Sequence, residues 1–82
     1  MITTLNEGDW NIKLIESVAI DDLKQVKECL KIIGYSDHRM FIRANINTID
    51  IYGDTALMIA SAKGHFEIVK FLVENGADVN LL

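Results

Sequence analysis

The strongest constraint on the fold is an internal repeat, because the second half of the chain reproduces the pattern of the first. At an offset of 43 residues the matched pairs are Leu14 with Leu57, Ser17 with Ala60, Asp22 with His65, Leu23 with Phe66, Val26 with Val69, Lys27 with Lys70 and Cys29 with Leu72. At an offset of 33 residues they are Ala44 with Ala77, Asn45 with Asp78, Ile46 with Val79 and Asn47 with Asn80. The change of offset predicts an insertion of about ten residues, 34–43, in the first repeat.

Each repeat has the apolar spacing of two helices, so the sequence predicts four helices in two helix–turn–helix pairs. The apolar face of the first helix is formed by Ile12, Ile15, Val18 and Ala19. The residues expected to cap or end the helices are Asp9 or Asn11, Asp21 and Asp22, Gly34, Thr55, Gly64, and Asn75 with Gly76. Between the pairs, residues 34–54 lose the helical period and contain turn formers and β-branched isoleucines, which favours a hairpin-like loop.

Three segments carry a family resemblance. They are 50–60 (Asp-Ile-Tyr-Gly-Asp-Thr-Ala-Leu-Met-Ile-Ala), 64–73 (Gly-His-Phe-Glu-Ile-Val-Lys-Phe-Leu-Val) and 76–80 (Gly-Ala-Asp-Val-Asn). Together they closely resemble one full ankyrin repeat, and residues 14–31 look like a degenerate N-terminal capping repeat of the same family. Two positions depart from the family pattern: Ala56 replaces the usual proline and Met58 the usual histidine, so we expect a softer hairpin.

The resemblance implies an all-α fold, a fragment of an ankyrin solenoid in a single domain spanning residues 1–82. We expect a degenerate first repeat at 11–47, with its insertion at 34–43, and a full repeat at 48–80. Because Met1 is followed by a plausible capping helix, we expect the N-terminus to be natural, whereas the C-terminus is ambiguous.

Composition narrows the possible partners. The chain has a net charge of −4 with its eight basic residues scattered singly, whereas nucleic-acid-binding proteins carry a basic stripe and anionic membranes attract basic segments. The single cysteine, Cys29, excludes an internal disulfide, and zinc-binding spacings are absent from the sequence. We therefore expect no nucleic acid, membrane, metal or other cofactor among the ligands.

Catalytic residues are not expected. Cys29 could pair with His38 or His65, but it occupies the buried position of Leu72 in the repeat, so core packing is favoured. His65 resembles the histidine of the family's Gly-His turn, which is structural. Asp37 and His38 could form an acid–base pair, but the sequence around them has no accompanying nucleophile or phosphate loop. The sequence therefore predicts neither an enzyme nor a small-molecule substrate.

Protein binding is the function that the resemblance implies. Members of the ankyrin family contact their partners through the hairpin tips and the inner helix of each pair. The resemblance therefore implies contact positions at Ile49, Ile51, Tyr52, Asp54, Ala62 and Lys63. Ala19 and Ile20 are weaker equivalents in the first repeat. The alternative is that Ile49 and Ile51 pack on the insertion. The insertion has its own apolar cluster of Tyr35, Met40 and Phe41, for which we favour folding back on the core over contact with a partner.

The chain has fewer repeats than the three or so that a solenoid normally needs, so we expect the last repeat to leave apolar side chains uncovered. Ile59 is expected to be partly exposed on this surface. The expected self-association residues are Phe66, Phe71, Val73, Leu81 and Leu82. A homodimer is the predicted state. The alternatives are cover by another protein, a self-associating scaffold and an N-terminal piece of a longer array.

We expect the cytoplasm as the location, because residues 1–5 lack the features of a secretory signal. Twelve isoleucines, six asparagines and a six-to-two ratio of lysine to arginine suggest an AT-rich genome. If the source is an intracellular bacterium or a virus, delivery into a host cell is a further expectation.

Overall fold

A computed structural model describes residues 7–36 and 39–81. Within them the helices are α1 (Glu7–Ala19), α2 (Leu23–Cys29), α3 (Ala56–Lys63) and α4 (Phe66–Glu74). Two strands, β1 (Ile32–Ser36) and β2 (Arg39–Ile42), separate the helical pairs, and a short 3-10 helix (Val79–Leu81) follows α4. The four predicted helices are therefore confirmed.

The predicted N-caps of α2 and α3 are present. Asp22 Oδ1 accepts the backbone N–H of Gln25 at 3.1 Å, and Thr55 Oγ1 accepts the N–H of Met58 at 3.2 Å. Each bond satisfies one of the N–H groups that the first turn of a helix leaves without a partner. The first helix differs from expectation, because it begins at Glu7 and so includes both predicted caps, Asp9 and Asn11.

The helix ends are confirmed in the second repeat and corrected in the first. Gly64 ends α3 in the left-handed region at φ +73°, where a glycine is not strained. Gly34 was expected to end α2, but α2 ends at Cys29 with Leu30 as its C-cap. Gly34 lies instead inside β1, where it pairs with Phe41.

The all-α class needs a correction at the insertion, which is an antiparallel β-hairpin. Ile32 pairs with Ile42 and Tyr35 with Met40, with a bulge between Ile32 and Gly34. The β-branched Ile32 and Ile33 favour extended backbone over helix, and a facing strand supplies their hydrogen-bond partners. The remainder of the described chain is helical or in turns and irregular segments, apart from an isolated antiparallel bridge between Ile49 and Thr55.

The core follows the repeat. α1 packs on α2 and α3, and α4 packs on α3 and α2. The buried apolar residues are Leu14, Val18, Val26, Cys29, Leu30, Ala44, Ala56, Leu57, Ala60, Ile68, Leu72 and Ala77. Cys29 and Leu72, one from each repeat, are both fully buried, which confirms that Cys29 is a core residue. Ala56 and Ala60 are small enough for neighbouring helices to approach closely.

Two further observations concern the described residues as a whole. Every buried side-chain nitrogen and oxygen among them has a hydrogen-bond partner. None of their helices has both the length and the apolar character needed to cross a membrane.

Candidate functional site

A groove of about 730 Å³ runs between α1 and the loop 48–52 that precedes α3. We call it the tip groove. Its first wall is one face of α1, and its second wall is the hairpin tip. The lining residues are Gly8, Asn11, Ile12, Ile15 and Glu16 on α1, and Thr48, Ile49, Asp50, Ile51 and Tyr52 on the tip. The five helical positions recur three to four residues apart, as residues on one side of a helix do.

The tip groove displays large apolar side chains to solvent. Ile51 is 91% exposed and Tyr52 is 81% exposed, while Ile12 and Ile49 are each 59% exposed. Described residues of the insertion do not line the groove. Contiguous exposed apolar surface of this kind marks interaction sites on soluble proteins.

The backbone of the tip is held by a single carboxylate. Asp50 Oδ1 accepts the N–H groups of both Tyr52 and Asp54 at 2.9 Å. The N–H of Asp50 donates to the carbonyl of Asp54 at 2.9 Å, and the N–H of Gly53 donates to the carbonyl of Asp50 at 3.1 Å. Gly53 turns the chain at φ +81°, which favours glycine. The apolar side chains of the tip are therefore presented on an ordered turn.

Met58 contributes to the base of this turn. The N–H of Thr55 donates to Met58 Sδ at 3.3 Å, while the N–H of Met58 donates to Thr55 Oγ1. The thioether sulfur thus serves as an acceptor at the position of the family's histidine, although a weak one, and the softer hairpin stays a prediction.

The structure divides the predicted contact residues into two groups. Ile49, Ile51 and Tyr52 line the tip groove, and Asp54 is exposed directly beside them. Ala62 and Lys63 are also exposed, but they end α3 about 10 Å along the helix from the tip, at 1.5 Å per residue.

Seven lining residues were absent from the predicted contact positions: Thr48 and Asp50 on the tip, and Gly8, Asn11, Ile12, Ile15 and Glu16 on α1. Ile12 and Ile15 were assigned to the apolar face of α1, which packs inward at Leu14 and Val18. The spacing of 12, 15 and 16 was a usable signal, since these positions form a side of the helix separate from Leu14 and Val18. Ala19 is partly exposed and Ile20 exposed.

Charge around the tip groove has one sign. Glu16 lies on the α1 wall and Asp50 on the tip, and basic side chains are absent from the lining residues. Lys13, on the same helix, turns toward the ring of Trp10 instead, with its Nζ 5.6 Å from the ring centroid. The groove is therefore apolar with acidic edges.

The insertion presents a second apolar surface. Tyr35 is 72% exposed and Phe41 is also exposed, so the expectation that they fold back on the core is wrong for both residues. Asp37 and His38 lie outside the described residues, and the side chain of Met40 is not described.

Of the predicted self-association residues whose side chains the structure describes, two are exposed and one is half-buried. Phe66 is 77% exposed and Val73 is exposed, seven residues apart on one face of α4. Phe71 is half-buried beneath the ammonium of Lys27, which lies 5.7 Å from the ring centroid. Leu82 lies outside the described residues, and only the backbone of Leu81 is described.

Cys29 and His65, two of the residues weighed as catalytic candidates, have other partners in the structure. Cys29 is buried, burial raises the pKa of its thiol, and its sulfur accepts a hydrogen bond from Gln25 at 3.9 Å. His65 Nδ1, in the turn between α3 and α4, lies 3.7 Å from Asp21 Oδ2, in the turn between α1 and α2. Groups of three or more His, Cys, Asp or Glu that could hold a metal are absent from the described ranges.

Comparison with known proteins identifies a family. The family model of the ankyrin repeat matches residues 52–82. An ankyrin repeat protein of Acanthamoeba polyphaga mimivirus is 34% identical over 80 residues, which are 98% of this chain and 41% of the viral protein. An ankyrin repeat protein of Rickettsia bellii is 37% identical over 67 residues, 79% of this chain and 38% of the bacterial protein.

A shorter match extends the comparison to an animal protein. Ankyrin repeat domain-containing protein 29 of Danio rerio is 51% identical over 39 residues, which are 48% of this chain and 13% of the fish protein. The chain thus spans about two fifths or less of these relatives. No solved structure gives a significant match.

Proposed function

Because the chain belongs to the ankyrin-repeat family, we propose that it is a non-enzymatic module that binds another protein through the tip groove and the adjoining residues of its inner helices. Ankyrin repeats are generally protein-interaction modules. Repeat folds of this class use extended concave surfaces for binding.

One observation carries the proposal: four exposed apolar side chains surround one groove, one of them on α1 and three on an ordered turn. Ile12, Ile49, Ile51 and Tyr52 are all more than half exposed, and the bonds to Asp50 hold the tip before any partner arrives. A pre-ordered surface loses less conformational entropy on binding, and aromatic anchors near the centre of an interface carry much of its free energy.

Quantitative affinity capture tests this function. The tagged chain would be expressed in its own cells, and proteins captured by the wild type would be compared with those captured by Ile51→Asp and Tyr52→Ala. We expect a specific partner to be captured by the wild type and reduced at least tenfold by either substitution. Both residues are almost fully exposed, so neither change should unfold the chain.

Tyr35→Ala is the matched control, because Tyr35 is another exposed tyrosine but lies on β1, away from the lining of the tip groove. Capture should be the same as in the wild type. If all variants capture the partner equally and circular dichroism shows that they are folded, the tip is not part of the binding surface.

A second candidate is self-association through α4, which is favoured by the exposure of Phe66 and Val73 on one face of that helix. Light scattering across a hundredfold concentration range would then show a dimer of twice 9.2 kDa. Phe66→Glu should return the mass to that of the monomer, whereas Ile51→Asp should not. A monomer at every concentration would exclude this candidate.

A further inference from the structure

We propose that the tip groove takes a basic peptide segment of a partner protein, one that inserts apolar side chains between α1 and the tip while its lysines or arginines meet the acidic edges. This inference rests on the proposed function and adds the chemical class of the partner. It is carried by the arrangement of charge around the groove.

The apolar lining of the groove favours a partner that inserts apolar side chains. The groove volume of about 730 Å³ is enough for several side chains, and Ile12 faces the tip across it. Ile51 and Tyr52 extend the apolar surface beyond the groove into solvent. An entirely polar segment would leave these side chains uncovered.

The edges of the groove select for positive charge. Glu16 lies on one wall and Asp50 on the other, so a bound segment passes between two carboxylates. Asp54 is exposed beside the tip and adds a third. Asp50 Oδ1 is engaged with the backbone, but its bonds are to uncharged N–H groups and leave the charge in place.

Two basic residues in the described part of the chain, Lys13 on α1 and Arg43 after β2, have partners other than these carboxylates. Lys13 is directed over Trp10, and Arg43 lies over the same ring with Nη1 2.6 Å from Glu28 Oε1. Neither residue lines the groove. A cationic partner therefore gains an attraction that the chain does not supply to itself.

The same charges disfavour the other occupants. Nucleic acid and anionic membrane surfaces would bring negative charge against Glu16 and Asp50. A second copy carries a net charge of −4 and would place like-charged edges together if it docked tip to tip. A basic segment of a different protein is the occupant that electrostatic complementarity favours.

A peptide-display selection tests the inference. A library of random 12-residue peptides would be selected on the immobilised full chain, with Ile12→Ala used for counter-selection. We expect the enriched peptides to carry more Lys and Arg than Asp and Glu, together with at least one large apolar residue. Ile12 is more than half exposed, so Ile12→Ala should stay folded, and urea unfolding would check this.

One enriched peptide would then be synthesised and measured against variants of the full chain. Binding should weaken about threefold for Glu16→Gln and more for Glu16→Lys, and about tenfold between 0.05 M and 0.5 M NaCl, because exposed charges are screened by salt. Glu67→Gln is the matched control, since Glu67 is an exposed glutamate on α4 outside the tip groove. It should leave the affinity unchanged.

Several outcomes would overturn the inference: no enrichment, enriched peptides without a basic excess, or basic peptides that bind Ile12→Ala and Glu16→Lys as tightly as the wild type. A dimer weakened by Ile12→Ala but not by Phe66→Glu would assign the groove to a second copy.

If cellular capture depends on Ile51 and Tyr52 but the enriched peptides are not basic, the proposed function stands and this inference fails. If cellular capture does not depend on Ile51 or Tyr52, the proposed function itself is wrong.

Discussion

Asn47 Oδ1 accepts the backbone N–H of Asp78 at 2.9 Å and so joins the loop of the first repeat to that of the second, 31 residues later. A similar bond lies within the first repeat, where Asn11 Oδ1 accepts the N–H of Asn45 at 2.7 Å across 34 residues. Repeats contact only their neighbours, so the bond from Asp78 to Asn47 helps to fix how the second repeat sits on the first.

Replacing Asn47 should therefore weaken the stack. Asn47→Ala removes the acceptor and is expected to lower the free energy of unfolding by about 1 kcal/mol, the usual net contribution of a hydrogen bond. Asn47→Asp keeps an acceptor oxygen and should lose less. Urea unfolding followed by Trp10 fluorescence measures both. Asn80→Ala is the control, because the Asn80 side chain has no hydrogen bond within the described residues; equal losses at both positions would contradict the role of Asn47.

The Arg43–Glu28 pair predicts a pH dependence. Arg43 Nη1 lies 2.6 Å from Glu28 Oε1, and its guanidinium lies 4.7 Å from the centroid of Trp10. The hydrogen bond from Arg43, with a smaller effect of the Lys31 charge, holds the pKa of Glu28 below its ordinary value of 4.5. A lowered pKa gives stability that is present above 4.5 and is lost as the pH falls through the folded value.

Glu28→Gln should accordingly have a lower urea midpoint than the wild type at pH 7, and the difference should shrink as the pH falls below 4.5. Trp10 emission reports unfolding and also senses whether Arg43 stays over the ring. Glu67→Gln, on a different helix, should show no such convergence. A Glu28→Gln difference that is constant from pH 7 to pH 3 would argue against the pair.

Local rules explain which parts of the fold could be predicted. The caps at Asp22 and Thr55 and the helix end at Gly64 each depend on a few neighbouring residues, so the sequence is sufficient to locate them. The repeat likewise identified the buried positions, because Cys29 and Leu72 occupy the same place in successive units.

The insertion could not be read in the same way. A glycine that follows a helical stripe, as Gly34 does, predicts a helix end. Here Gly34 is instead part of a strand, because it pairs with Phe41 across the hairpin. The carbonyl of Cys29 also accepts the N–H of Ala44 at 3.0 Å, which closes the base of the insertion from outside the strands. Pairings of this kind are set by contacts distant along the chain, whereas periodicity reports only neighbours.

The tip groove was half predictable for a related reason. The tip residues Ile51 and Tyr52 follow from the resemblance, but the α1 wall depends on what covers each side of that helix. Ile12 and Leu14 are both apolar and only two positions apart, yet the first is exposed and the second is buried. Spacing shows that a helix has faces, but packing decides which of them reach solvent.

The turn between α1 and α2 contains a strained residue. Asp21 adopts φ +62°, the left-handed region that Asp tolerates better than β-branched residues. Asp21→Val should lower the free energy of unfolding by about 1–2 kcal/mol, whereas Asp21→Gly should be close to neutral. Urea midpoints of the two variants measure this difference.

Asp21→Asn separates backbone strain from the contact with His65, whose Nδ1 lies 3.7 Å from Asp21 Oδ2. Asparagine keeps the tolerance for positive φ and removes the charge. If Asp21→Asn is as damaging as Asp21→Val, the charge matters more than the backbone. Equal stability of Asp21→Val and the wild type would refute the strain.

Burial should make Cys29 unreactive in the folded chain. The side chain is fully buried, and burial raises the pKa of the thiol above its ordinary value of 9.0, which suppresses the reactive thiolate. At pH 8 we expect a disulfide reagent such as 5,5′-dithiobis(2-nitrobenzoate) to modify the native protein at least about a hundredfold more slowly than the urea-unfolded chain, because the thiol must first be uncovered.

The same shift predicts how stability changes at alkaline pH. A raised pKa gives stability that is fully present below the ordinary value of 9.0 and is lost as the pH rises through the folded value, since only the unfolded thiol ionises at first. Cys29→Ala is expected to be less stable at pH 7 because it leaves a cavity, but it lacks this ionisation. The gap between the two urea midpoints should therefore narrow from pH 8 to pH 10. A constant gap, or native modification as fast as unfolded, would show that Cys29 reaches solvent.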